Sequence, residues 1–426
     1  MMECKNSAFC LFDQQAIQTD IISSNIVDYH PRTAENAGPI EFLIPGSSDD
    51  YIDLSYAMVD VRFRIKVADG SNVVPAHKVG LNNLPIATLF RDVSLTIGEQ
   101  QVEGGQSDYP YKAYFNAVTQ FHPAAQNSHM EAVGWYRDEA AKFDDEANTG
   151  FVKRSALIKD SKVCQLYGAL NLDFFRQSKY LLCNTSMRLK LTLNKPEFLL
   201  NAFGTAANFK IHVEDITLYI RRVAANPSVI RGHAEGLNRH NALYPIQHTK
   251  LLTFTIPRGQ KSFMKDNLFQ SEAPKLLMVA MVDNDAVNGD ISKNPFNFKH
   301  NDLGEIALRV NGVSHPGPPY KPDFSSYQFL RSYVDFMNVF GFYNTDDSNG
   351  LSMKEFKSGY TIYAFDLTAD SDITAPYRQA NVPHNIRLDL EFNTTLTQTI
   401  NVLIYAVFDS SIEITKYRDV ILHYNR

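Results

Sequence analysis

Cysteine, tryptophan and dense positive charge are scarce in this chain of 426 residues. Cys4, Cys10, Cys164 and Cys183 lack the close pairing of ligands that marks a zinc site, so they read as free thiols in a reducing compartment. The net charge is −6 and the basic pair Arg221-Arg222 stands alone, which argues against a dedicated nucleic-acid binder, because neutralising phosphates takes a basic surface. No apolar run approaches the ~18 residues of a spanning helix. Residues 1–20 lack the basic start and continuous apolar core of a signal peptide. The expectation is a soluble protein made inside a cell, with the Asn-x-Ser/Thr triplets at Asn184 and Asn393 as chance matches at strand ends.

Catalytic motifs are missing as well. There is no Gly-rich phosphate loop ending in Lys-Ser/Thr, no Gly-x-Ser-x-Gly elbow and no His-Glu-x-x-His helix. His212-Val213-Glu214 imitates the start of a zinc deaminase motif, but the paired cysteines that must follow are absent and the triplet sits on a predicted strand. Asp283, Asp285 and Asp290 offer oxygen ligands, yet Val287 and Asn288 break the pattern of a calcium loop, and a tight Asx-rich turn is the preferred reading. The acid pairs Asp49-Asp50 and Asp346-Asp347 lie in predicted loops with nothing to place them across a cleft. No catalytic, cofactor-binding or metal-binding residue is predicted.

What the chain does have is 28 Phe, 21 Tyr and many short alternating stretches. Val59, Val61, Phe63, Ile65 and Val67 alternate with Asp60, Arg62, Arg64 and Lys66, the period-two pattern of a strand with one buried face. Further strands are predicted at Ile40–Ile44, Val93–Ile97, Ala169–Asp173, Met187–Asn194 and Phe209–Arg221. In the second half they fall at Leu251–Ile256, Leu276–Val282, Glu305–Asn311, Thr361–Leu367, Ile386–Asn393 and Thr399–Phe408. Tyr111, Tyr114, Phe115 and Val118 fall at helical spacing, as do Tyr327, Leu330, Tyr333, Val334 and Met337.

These signals repeat in order. Phe42-Leu43-Ile44-Pro45 is answered by Phe254-Thr255-Ile256-Pro257, Val93–Ile97 by Ile306–Val310, Leu172-Asp173 by Phe365-Asp366, and Arg188–Asn194 by Arg387–Asn393. The spacing, roughly 200 residues, suits a duplicated domain and is far too long for a solenoid. Short strands, large loops and no βα alternation predict an all-β fold of two tandem antiparallel jelly-roll sandwiches with short helices in loops. The expected layout is an extended N-terminal arm over 1–37, a first jelly roll over 38–222 with a long insertion loop at about 99–165, a linker over 223–250 and a second jelly roll over 251–426.

Several stretches also carry a resemblance. They are Phe90–Leu95, Tyr109–Tyr114, Tyr244-Pro245-Ile246, Val282–Ala286, Asn294–Phe298 and Tyr363–Thr368. Together they resemble the double jelly-roll major capsid (hexon-like) proteins of Polinton/Maverick elements and adintoviruses, over about residues 40–415. Ala87-Thr88 departs from that family, which has a His-Ser pair there. The resemblance implies a structural protein of the virion, made and assembled inside the host cell. Three chains would close into a pseudo-hexagonal capsomer of an icosahedral shell, with neighbouring capsomers and vertex (penton) and minor capsid proteins as partners. It implies no cofactor and no catalytic residue. A duplicated domain fits that picture independently, since it lets a three-fold oligomer present six similar edges. The competing readings are a two-jelly-roll hydrolase, which needs acids converging in a cleft, and a tandem lectin-like module, which needs a secretion signal and paired cysteines. Tyr320, Phe324 and Phe342-Tyr343 are candidates for lateral contacts or for core filling. The apolar residues Phe9, Leu11, Phe12 and Ile21-Ile22 of the arm are expected to be buried by a partner, not by a sandwich.

Overall fold

The computed structural model describes residues 17–33, 38–204, 207–269, 273–375 and 384–424. Cys4, Cys10, Phe9, Leu11 and Phe12 lie outside the described residues. Ten strands form the first half: β1 (Ile21–Tyr29), β2 (Ile40–Ile44), β3 (Asp50–Val67), β4 (Val79–Leu81), β5 (Phe90–Ile97), β6 (Gln100–Glu103), β7 (Cys164–Ala169), β8 (Met187–Leu193), β9 (Leu200–Ala202) and β10 (Phe209–Ala225). Nine form the second: β11 (Ala242–Ile256), β12 (Ser262–Lys265), β13 (Leu276–Asp283), β14 (Leu303–Val310), β15 (Val313–Tyr320), β16 (Ile362–Asp366), β17 (Ile386–Phe392), β18 (Ile400–Ile414) and β19 (Val420–Leu422).

The halves are wired identically. Sheet order β1-β10-β3-β7 in the first half matches β11-β18-β13-β16 in the second, and β2-β8-β5-β6 matches β12-β17-β14-β15. Setting aside the β4-β9 ribbon and β19, each half has eight strands, and its sheets join the first, eighth, third and sixth, and the second, seventh, fourth and fifth. That is the antiparallel jelly roll, two sheets interleaved so that side chains from both inner faces share one core. In β3 the expected alternation holds: Val59, Val61, Phe63 and Ile65 are buried, while Arg62 points out and is exposed. β13 is buried at every position and β18 nearly so, as happens to a strand covered on both faces.

The structure corrects several expectations. The stretch read as an arm carries β1, which pairs with β10 from Ile21↔Ala225 to Tyr29↔Leu218 and is the first strand of a sandwich. A free arm would leave the β10 edge unpaired. The predicted linker holds the end of β10, the helix Pro227–Leu237 and the first part of β11. That helix starts where Pro227 follows Asn226, whose side chain accepts a bond from the Ser228 amide at 3.0 Å. Two of the four sequence matches are structural equivalents: Val93–Ile97 with Ile306–Val310 on β5 and β14, and Arg188–Leu193 with Arg387–Phe392 on β8 and β17. Phe42–Ile44 and Phe254–Ile256 are not, since the former lies on the second strand of its half and the latter ends the first. Leu172-Asp173 stands beyond β7, which runs over Cys164–Ala169 instead of the predicted Ala169–Asp173, whereas Phe365-Asp366 ends β16.

Candidate assembly interface

Both predicted aromatic helices exist, at Tyr109–Gln120 and Leu330–Val339, and both occupy the connection after the fifth main strand of their half. Pro110 in the first turn supports the first helix, because its missing N–H is one that a helix start leaves free. That helix fills the seam between the halves. Tyr114 stacks on Phe296 with ring centroids 4.0 Å apart, Phe115 stacks on Phe298 at 5.4 Å, and Tyr405 of β18 donates to Asn116 Oδ1 at 3.1 Å. Tyr405 Oη is buried, so this bond removes the penalty of leaving a hydroxyl unpaired in the interior.

The insertion after the helix extends the seam. Its sequence has little period, yet Trp135, Phe143 and Arg154 are fully buried. Arg154 pairs with Asp138 at 2.6 Å, with both side chains almost wholly enclosed. The Asp138 amide donates to Tyr360 Oη of the second half at 3.1 Å, and Arg137 Nε bonds Glu355 at 2.8 Å. Phe143 meets Tyr360 edge-on at 5.0 Å and lies against Gly359, where an added Cβ would fall 2.0 Å from the ring. Only glycine fits there.

A second, charged cluster ties β6 and the Tyr109–Gln120 helix to β11. Glu103 accepts the Asp173 amide at 2.8 Å, and Asp173 accepts the Thr249 amide at 2.7 Å and the Thr249 hydroxyl at 3.0 Å. Lys112 pairs with Asp108 at 3.0 Å, and His248 lies 3.6 Å from Asp173 with its ring stacked on Tyr424. Burial, reinforced by the charge of Asp173, pushes the Glu103 carboxyl well above the usual range. Burial also acts to raise Asp173, but the His248 hydrogen bond and the Lys112 charge prevail and hold it low. Lys112 is raised: burial works against its charge, and Asp108, Asp173 and Glu103 outweigh that cost. Asp173 and His248 lie far in sequence from Glu103, Asp108 and Lys112, so the cluster as a whole carries no local signal.

The sequence candidates for chemistry fall elsewhere and do not converge. His212 faces Arg64 across β10 and β3, and Glu214 is ion-paired with Arg64. Asp283 binds Lys299 at 2.7 Å, Asp285 binds Lys293 at 3.2 Å, and Asp290 accepts from Ser292 at 2.6 Å. Their segment is not the expected turn alone but a short helix, Asn284–Asn288, ended by Gly289 in the left-handed region. Asp50 opens β3 near Arg222, and Asp347 lies 3.5 Å from His122. A cavity of about 820 Å³ at the seam is lined by Asp144, Asp145, Glu146, Lys299, His300 and Lys357 among others. Asp144 there is engaged by the Asn294 amide at 2.6 Å and Asn297 Nδ2 at 2.8 Å, and the His300 ring is stacked on Phe324 at 4.1 Å. Asp144 thus ties the first half to the second, while His300 is held within the second half. Of the loop aromatics, Tyr320 and Phe324 are core residues, while Tyr343 is 58% exposed.

No family model matches the chain. An uncharacterized protein of Caenorhabditis elegans, F54H12.2, is 26% identical over 399 residues, covering 90% of this chain and 93% of that protein. Among solved structures, a chain of the Sputnik virophage is similar with a TM-score of 0.66 at 14% identity, covering 100% of this chain and 94% of that one. A chain of the PBCV-1 virus capsid has a TM-score of 0.60 at 14% identity, with coverage of 97% and 100%. The mavirus major capsid protein has a TM-score of 0.57 at 10% identity, with coverage of 98% and 93%. In fold, from end to end, the chain is a double jelly roll like those of viral capsids.

Proposed function

We propose that this chain is the major capsid protein of a virus or virus-derived element of the Polinton/Maverick and adintovirus kind. It forms homotrimers that serve as pseudo-hexagonal capsomers of an icosahedral shell. The observation that carries the reading is the identical sheet order of the two halves over the whole chain, β1-β10-β3-β7 with β2-β8-β5-β6 and β11-β18-β13-β16 with β12-β17-β14-β15. Two like sandwiches joined through a buried seam give a building block with six similar edges in a three-fold ring. The solved structures of like fold include major capsid proteins, which fits a structural role and not an enzymatic one. The partners are other copies, neighbouring capsomers, and vertex and minor capsid proteins, and the destination is the virion.

Negative-stain imaging of the purified protein tests the reading. Six-lobed particles or closed shells are expected, and dispersed two-lobed particles at micromolar concentration would contradict it.

A further inference from the structure

The Tyr109–Gln120 helix and its counterpart Leu330–Val339 occupy the same place in their halves, yet their surroundings differ. Every residue from Tyr109 to Thr119 is buried, because that helix is held between its own half, where Tyr111 meets Phe198 and Tyr114 meets Trp135, and the second half, which it reaches through Tyr405 and the Phe296 to Phe298 segment. In the other helix only Ser332, Phe336 and Met337 are buried, and Leu330 is 50% exposed beside Tyr327 at 58%. The receiving sheets differ in the same sense. In the β11-β18-β13-β16 sheet the central strands β18 and β13 are covered on both faces, whereas their equivalents β10 and β3 in the β1-β10-β3-β7 sheet each turn one face partly to solvent.

That face carries ion pairs of Arg64 with Glu214 and of Arg62 with Asp60 and, further along the strands, an aromatic patch. Register puts Met58 and Tyr219 opposite one another, and Ile26 opposite Arg221. The Tyr167 ring lies 6.1 Å from Tyr219, its hydroxyl is 3.5 Å from that of Tyr56, and the Arg221 guanidinium sits 4.4 Å over the Tyr56 ring. Tyr, Met and Arg are the residues over-represented at protein interfaces, and tyrosine and arginine dominate their energetics.

We propose that the Leu330–Val339 helix of a second copy seats on the outer face of the β1-β10-β3-β7 sheet. This repeats between chains the contact that the Tyr109–Gln120 helix makes within one. The occupant follows from the molecule: one chain already joins this helix position to this sheet position once, and among the described residues nothing covers the other helix and the other sheet face. The contact is heterologous, so it closes a ring when the rotation allows. It rests on the capsid reading above and assigns the surface by which the copies engage.

The test uses the full chain. Leu330→Glu alters a half-exposed side chain, so folding and melting temperature should hold. Assembly should weaken at least tenfold in a light-scattering dilution series. A benzophenone amino acid at Tyr167 should cross-link, on irradiation, to peptides spanning 327–343 of another chain. Wild-type assembly by Leu330→Glu, or cross-links from position 167 that land elsewhere in assembled particles, would overturn the assignment and leave the capsid reading standing. A wild-type protein that stays monomeric would overturn both.

Discussion

The two sandwiches share every main strand pairing and differ in how much of each is covered. In the second half β11 pairs with β18 from Ala242↔Ile414 to Ile256↔Ile400, and β18 is buried on both faces. In the first half the equivalent strand β1 is mostly exposed, and its partner β10 alternates between buried and open positions. A duplicated fold therefore need not give duplicated surfaces. The first half supplies the helix and insertion that bury the second, and no equivalent among the described residues does the same for the first.

The largest expected effect comes from substituting equivalent helices. Tyr114→Ala removes a fully buried ring from the stack with Phe296 and should cost about 3–5 kcal/mol. Tyr333→Ala, on the less covered helix, loses a half-buried ring and one bond to the Leu351 carbonyl and should cost about 1–2 kcal/mol. Chemical denaturation of both variants checks the ratio, and equal losses would erase the contrast.

Next is the first strand. Deleting residues 1–29 removes β1 and bares the edge of β10, so stability should fall by about 1–3 kcal/mol and aggregation should rise. An unchanged melting temperature would favour an extended arm over a strand of the sandwich.

The smallest effect is a pH dependence at the seam. The folded carboxyl of Glu103 is raised, so its contribution to stability is present below the ordinary carboxylate range and is lost as pH rises through the folded value. Asp173, held low, acts the opposite way and loses its contribution as pH falls. Glu103→Gln keeps the uncharged form at every pH. Its melting temperature should match wild type in acid and exceed it increasingly toward alkaline pH. A constant offset would argue against a raised Glu103.

Which parts of this architecture were legible in the sequence follows from burial. β5, β8, β17 and the Val59–Ile65 stretch of β3 alternate because one face meets a core, so the period of two is visible. β1 carries no such period, because it is an edge strand with exposed residues on both faces. The start of β11 was read as linker because Tyr244, Ile246 and His248 are buried among Pro245 and polar residues. Of the seam, the Tyr109–Gln120 helix shows itself through the helical spacing of Tyr111, Tyr114, Phe115 and Val118, and the rest carries no local signal. Glu103, Asp173 and Thr249 meet only after the halves close, and Trp135, Phe143 and Arg154 are buried by shape and not by periodicity.

The central claim is that one chain is an incomplete ring whose open sheet face and open helix are closed by other copies. The mass of the purified full-length protein in solution, by light scattering at micromolar concentration, tests it most directly. Three chain masses, independent of further dilution into the nanomolar range, is the predicted result. A single chain mass would contradict it.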